Sequence, residues 1–140
     1  MNELLKQINL FLRAKVKAFF DLTEEETDKR VFHPEATDDA VFQYIVFQLD
    51  SSSTGLSPRE DFYLEINFWD NKESTTELED LVDAVDGDGD TEDPTGLNNR
   101  VIHNNKLSVI FHKENRQAIP DRDKRINRRQ LRYVAQTYFM

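Results

Sequence analysis

From Asp61 to Asp70 the chain reads DFYLEINFWD, with Phe62, Leu64, Ile66 and Phe68 alternating against Tyr63, Glu65, Asn67 and Trp69. A period of two places these sets on opposite faces of a strand, and the residue types suit a pleated, half-buried surface. Phe62, Leu64, Ile66 and Phe68 are the expected core face. Ser74-Thr75-Thr76-Glu77 follows with the form of a capping box, in which Ser74 and Glu77 exchange bonds with each other's amides. Leu78, Leu81, Val82 and Val85 then recur at the spacing of an amphipathic helix.

Other segments fall around this strand–helix pair. Leu4, Leu5, Ile8, Phe11, Leu12, Val16, Phe19 and Phe20 form a helical stripe, with Lys6, Arg13, Lys15 and Lys17 mostly off it. Packing on a sheet is the expected role, and the acidic remainder of the chain disfavours a membrane-surface helix. TEEETDKR reads as a polar loop, followed by a short strand at Arg30–Phe32. Val41–Leu49 is apolar on both faces apart from Gln43 and Gln48, as in a strand covered on both sides. Ser51–Pro58 reads as a loop joining it antiparallel to the next strand. After the second helix an acidic loop spans 86–96. Leu97–Asn105 has no clear pattern. Leu107, Val109 and Phe111 mark another strand, Glu114 to Lys124 a polar loop, and Asn127–Phe139 a last alternating strand. Pro34, Pro58, Pro94 and Pro120 all lie between proposed elements. The expectation is a single α+β domain, 1–140, with one antiparallel β-sheet and two helices packed on one face.

Composition narrows the function classes. Hydrophobic content of 38% and ten Phe argue for a folded chain rather than a disordered one. Cysteine is absent, which removes disulfides, thiolate metal sites and a cysteine nucleophile. The first residues place Glu3 early and basic groups after the apolar part, the wrong order for a signal peptide. No apolar run approaches the ~20 residues of a membrane span, so a soluble protein with no membrane partner is expected. The net charge of −9 argues against non-specific nucleic-acid binding, and no sequence-specific nucleic-acid partner is expected. Charge is unevenly spread: residues 1–112 carry ten basic and twenty-four acidic groups, the remainder eight and three.

Asp86, Asp88 and Asp90 alternate as in the opening of a calcium loop, but Thr91 and Leu97 stand where that loop needs glycine and a bidentate glutamate. A solvated acidic loop without a tight metal site is expected. Arg59-Glu60-Asp61 followed by Glu65-Ile66-Asn67 is faintly like the acidic strand of metal-dependent nucleases, with Asn67 in place of the lysine such sites need. His33, His103 and His112 are scattered, and the four glycines form no phosphate-binding motif. No catalytic residue, cofactor or metal site is assigned.

The order of elements resembles the tail-completion or tail-terminator (head–tail joining) proteins of long-tailed bacteriophages. The resemblance rests on the N-terminal helix, the paired strands VFQYIVFQL and DFYLEINFWD, the helix LEDLVDAV, and the closing segments KLSVIFHK and RRQLRYVAQTYF. It spans nearly the whole chain as a pattern of elements with few fixed residues, and the acidic insert at Asp86–Asp93 departs from it. It implies a non-enzymatic assembly protein of a phage or prophage particle, made in the bacterial host cytoplasm and incorporated into the virion. Its copies would form a six-fold ring that completes the tail and joins tail-tube protein to head connector. A metal-dependent nuclease-like enzyme and a stand-alone regulatory binding domain are the alternatives. The charge split predicts head-to-tail subunit contacts, with Arg128, Arg129 and Arg132 as the basic patch and Asp86, Asp88 and Asp90 as the acidic one.

Overall fold

A computed structural model describes residues 2–51 and 59–140. Among these, the chain forms α1 (Asn2–Phe20), α2 (Glu24–Thr27), β1 (Val31–Phe32), β2 (Tyr44–Ser51), β3 (Arg59–Asp70), α3 (Thr76–Asp86), β4 (Val101–His103), β5 (Leu107–Ile119) and β6 (Asn127–Phe139). One six-stranded sheet has the order β1-β2-β3-β6-β5-β4. The mixed α+β class is as expected. The expectation of a purely antiparallel sheet needs correction, because β1 pairs with β2 in parallel. Residues 33–43 carry the chain back to the start of β2, so the two strands run the same way. The remaining strand pairs are antiparallel.

Strand β3 lies near the middle, pairing with β2 from Tyr44↔Trp69 to Ser51↔Phe62 and with β6 from Arg59↔Tyr138 to Asp70↔Asn127. Its even-numbered residues Phe62, Leu64, Ile66 and Phe68 are at most 1% exposed. They share one core with Ile45, Phe47 and Leu49 of β2, Leu131, Tyr133 and Ala135 of β6, and Leu107, Val109 and Phe111 of β5. Leu4, Ile8, Leu12 and Val16 of α1 and Leu78, Leu81, Val82 and Val85 of α3 complete it, and the two helices touch each other. The alternation and the two helical stripes therefore meet in one cluster, which is the physical content of the period-two and period-3.6 patterns.

Four local expectations change. Ser74 does not cap α3: the cap position is Thr75 and makes no side-chain cap bond. With Thr75 as the cap, Glu77 is the second helical residue and not the third that the box needs, and its carboxylate binds Lys72 at 2.9 Å. A complete capping box instead stands at Thr23 and Glu26, turning part of the supposed loop TEEETDKR into α2. β2 begins at Tyr44 rather than Val41 because the Arg30 guanidinium takes the carbonyls of Phe42 and Gln43, at 3.1 and 3.0 Å, and Val41 N–H bonds Lys29. On the side of β2 opposite the core, Val46 is buried at 6% exposure, and the exposed residues are Gln48, already excepted, and Asp50, beyond the expected segment. Finally, β5 continues through the segment read as a loop from Glu114. A register shift between Lys113 and Asn115 takes up Glu114, after which Arg116 to Ile119 stay paired with β6. Polar side chains tolerate that strand because Arg116 reaches carboxylates on α3 and Gln117 bonds Gln130. The loop expected at Ser51–Pro58 falls, after Ser51, outside the described residues.

The second face of β3 is less free than alternation alone suggests. Asn67 is 3% exposed and its Oδ1 accepts from Arg128 and Gln130. Ile66→Ala should cost about 2–5 kcal/mol through the cavity it leaves. Asn67→Ala should cost about 1–3 kcal/mol, because a buried Gln130 amide loses its acceptor. Urea melts of the two variants check the ranking, and a larger loss at Asn67 would contradict the assigned core face.

Candidate interaction surface

The charged residues that suggested a contact between subunits separate into two groups. One group is already paired within the chain. Arg129 lies on the core side of β6, opposite Phe68, and its guanidinium binds Glu79 of α3. Arg116 of β5 binds Glu79 at 2.8 Å and Asp83 at 2.6 Å. Asp86, at the end of α3, is 3% exposed; it accepts from Tyr133 Oη at 2.5 Å and Lys113 Nζ at 2.8 Å. The acidic face of α3 is thus laid across the basic strands β5 and β6. Three of the eight basic residues after position 112 are neutralised in this way inside one chain.

Burial and pairing compete at these groups. Burial would raise the Glu79 carboxyl, but the hydrogen bonds from Arg129 and Arg116 outweigh it and hold the group below its ordinary value near 4.5. Burial, reinforced by the bond to Asp86, pushes the Tyr133 phenol far above its usual range.

Asp88 and Asp90 stand on an exposed loop closed at its base by two glycines. Gly87 has φ +78°, and a Cβ there would lie 2.1 Å from Gly96 N. Past this pinch, Leu97 N–H bonds Val85 and Asn98 N–H bonds Asp86, carrying the chain back beside the helix end. Asp88 accepts from the amides of Asp90 and Thr95, and Asp90 from those of Glu92 and Asp93. The alternating aspartates that suggested calcium are thus turn-formers. Backbone bonds, first from Asp90 and then from Thr95, keep the Asp88 carboxyl below its ordinary value.

Arg128 and Arg132 lie on the second face of the sheet. Arg128 covers the Trp69 ring at 4.9 Å, and Trp69 stacks on Tyr44 at 5.4 Å with an 18° interplanar angle. The adjacent row is a ladder of amides: Gln117 donates to Gln130 at 3.0 Å, Gln130 to Asn67 at 3.1 Å, and Asn67 to Glu65 at 2.9 Å. Arg132, across from Glu65 in the register, forms no ion pair or hydrogen bond among the described residues. Tyr63 and Tyr138 on this face are 41% and 44% exposed. The aromatic–arginine row and the amide ladder were not legible as units in the sequence, since they join residues from three or four strands. The alternation at 61–70 and 127–139 did place each residue on its face.

Of the acids that suggested a nuclease, Asp61 and Glu65 lie on the same second face and Glu60 on the opposite one. The Arg59 guanidinium holds Asp61 through two 2.8 Å bonds, and Glu65 belongs to the amide ladder. His33 lies elsewhere, against the Phe47 ring at 4.9 Å, with its pKa lowered by burial. No group of three or more acidic, histidine or cysteine side chains converges among the described residues. No helix among them is long and apolar enough to cross a membrane.

No protein-family model and no curated protein matches this chain.

The α3 clamp has a titration consequence. A carboxyl held below its unfolded value stabilises the fold above that value and loses this contribution as pH falls through the folded pKa. Glu79→Gln should therefore lower stability near neutral pH and flatten the acid limb of the stability curve below about pH 4.5. Urea midpoints measured at a series of pH values check this; parallel curves for the variant and the parent would exclude the clamp.

Proposed function

We propose that the chain is a structural assembly subunit that associates with copies of itself, and that its place is at the end of a phage or prophage tail tube, where a ring joins the tail to the head connector. The observation that carries this reading is the arrangement of the elements. A long N-terminal helix, a central antiparallel pair, a second helix and a closing antiparallel pair build one sheet around β3, in the order that the tail-completion resemblance implies. We take α1 and α3 to share the face of Phe62, Leu64, Ile66 and Phe68. The face of Trp69, Asn67 and Arg132 is then left to meet other components. Its aromatic row and satisfied amide ladder suit a polar contact, with Tyr63 and Tyr138 as apolar area at its margin.

The charged candidates for subunit contacts divide accordingly. Arg129 and Asp86 have partners in the chain and serve the fold. Arg128 is engaged with Asn67 and the Trp69 ring, while Asp88 and Asp90, on the exposed loop, and Arg132, on the second face, remain for contacts in trans. Exposed ion pairs contribute only ~0.2–1 kcal/mol each, so charge sets register and encounter rate while apolar area holds the assembly.

Co-expression of the chain with the products of its neighbouring genes, followed by electron microscopy, tests this reading. The expected result is neighbours that include tube and connector proteins, and tubes that end in a ring containing this chain. Tubes that finish normally without the chain, or neighbours unrelated to particle assembly, would overturn it.

A further inference from the structure

An open cleft of about 650 Å³ lies between α1 and β1. Donors dominate its rim: Asn2, Lys6, Asn9, Arg13 and His33 stand against one carboxylate, Glu35. Lys6 is exposed and forms no ion pair or hydrogen bond with any described residue. Arg13 is already held by Asp28 at 2.7 Å and Glu24 at 3.3 Å, so it orients the rim more than it adds free charge. His33 packs on Phe47, and burial favours its neutral form, which offers a ring N–H without a charge. In a chain of net charge −9, a concave site rich in donors is an exception that calls for an acceptor-rich occupant.

The loop has those acceptors. Asp88, Asp90, Glu92 and Asp93 are all exposed. Asp88 and Asp90 spend one oxygen each on the turn amides. Glu92 and Asp93 side chains make no hydrogen bond or ion pair with any described residue.

The two features also lie on opposite flanks of the subunit. The base of the loop meets α1 on the side of Phe11 and Lys15: Lys15 Nζ bonds the Thr95 carbonyl at 2.6 Å, and Arg100 covers the Phe11 ring at 5.0 Å. The cleft uses Asn9 and Arg13, and residues two apart on a helix point about 160° away from each other. In the sheet, β1 beside the cleft and β4 just after the loop are the two edge strands. A chain therefore cannot fill its own cleft with its own loop. A second copy, set beside the first in the same orientation, brings its loop to the first one's cleft. Repetition of that contact is heterologous, and it closes a ring when the rotation permits. The hairpin between β5 and β6 is the other basic element, but it extends from the strand that Asp86 already grips through Lys113. Its tip stands at the Asp70 end of β3, where Asn127 bonds the Lys72 carbonyl, and Arg125 within it is already paired with Asp123.

We propose that segment 88–93 of one copy docks in the α1–β1 cleft of the next, with Lys6 the cation that receives Glu92 and Asp93. This deepens the ring reading and rests on it. Copies labelled with different isotopes can be mixed, on tubes or at high concentration, and treated with a carbodiimide that joins amines to neighbouring carboxylates. The expected result is a link between Lys6 of one isotope and a carboxylate in 88–93 of the other. Lys6→Glu should weaken association about fivefold or more, as should Glu92→Lys with Asp93→Lys, changes that leave the Asp88 and Asp90 turns intact. Combining the two reversals should restore it. Assembly of the parent chain with links from 88–93 to Lys124, or with no loss in Lys6→Glu, would overturn the docking while leaving the ring. A parent chain that never associates, alone or on tubes, would overturn the ring reading itself.

Discussion

The pairing of β3 with β6 is the constraint on which the rest of this structure depends. It runs unbroken from Arg59↔Tyr138 to Asp70↔Asn127, and it sets which side of each neighbouring strand faces the core. A slip of one residue would move every side chain of a strand to the other face. The register that puts Ile66 opposite Leu131 in the core also puts Asn67 opposite Gln130 and Trp69 opposite Arg128. The amide ladder and the cation–aromatic stack are thus consequences of the same alignment that buries the core. They give a misregistered sheet a further cost, because buried amides would lose their partners.

Onto this sheet α3 is held by both apolar and charged contacts. Leu78, Leu81, Val82 and Val85 are buried, and Glu79, Asp83 and Asp86 flank them with bonds to Arg129, Arg116 and Lys113. Removing one partner from the most buried of these pairs leaves Asp86 with an uncompensated charge, so the pairing fixes the helix position more firmly than its net energy implies. This arrangement explains how a chain with opposite charges at its two ends avoids spending all of them on association. Much of the α3 acid is used in cis, and the acids of the loop beyond Gly87 stay exposed.

The sequence was most informative where one periodicity ran without interruption. Asp61–Asp70 and Asn127–Phe139 are strands with the expected faces, the α3 stripe is buried throughout, and the α1 stripe buries Leu4, Ile8, Leu12 and Val16 while Leu5, Phe11, Phe19 and Phe20 are partly buried. It was least informative where polar side chains are satisfied by distant partners. Arg116 and Gln117 look like loop residues until α3 and β6 supply Glu79 and Gln130. The capping box at Thr23–Glu26 has the same local form as the one expected at Ser74–Glu77. They differ in where the helix starts: with Thr75 as the cap, Glu77 is the second helical residue, one short of the box position, and its carboxylate goes to Lys72. Of the charged interface candidates, Asp86 and Arg129 could not be recognised as internal from spacing alone. Their burial follows from the approach of α3 to two strands that lie far along the chain.

The central claim is that the chain is a subunit built to meet its own copies through two oppositely charged flanks. Sedimentation over a wide concentration range, at low and moderate salt, tests it most directly. The account predicts growth from monomer to one closed species whose formation weakens as salt rises. A chain that remains monomeric throughout, both alone and with tail tubes present, or one whose association is indifferent to salt and has no end point, would contradict it.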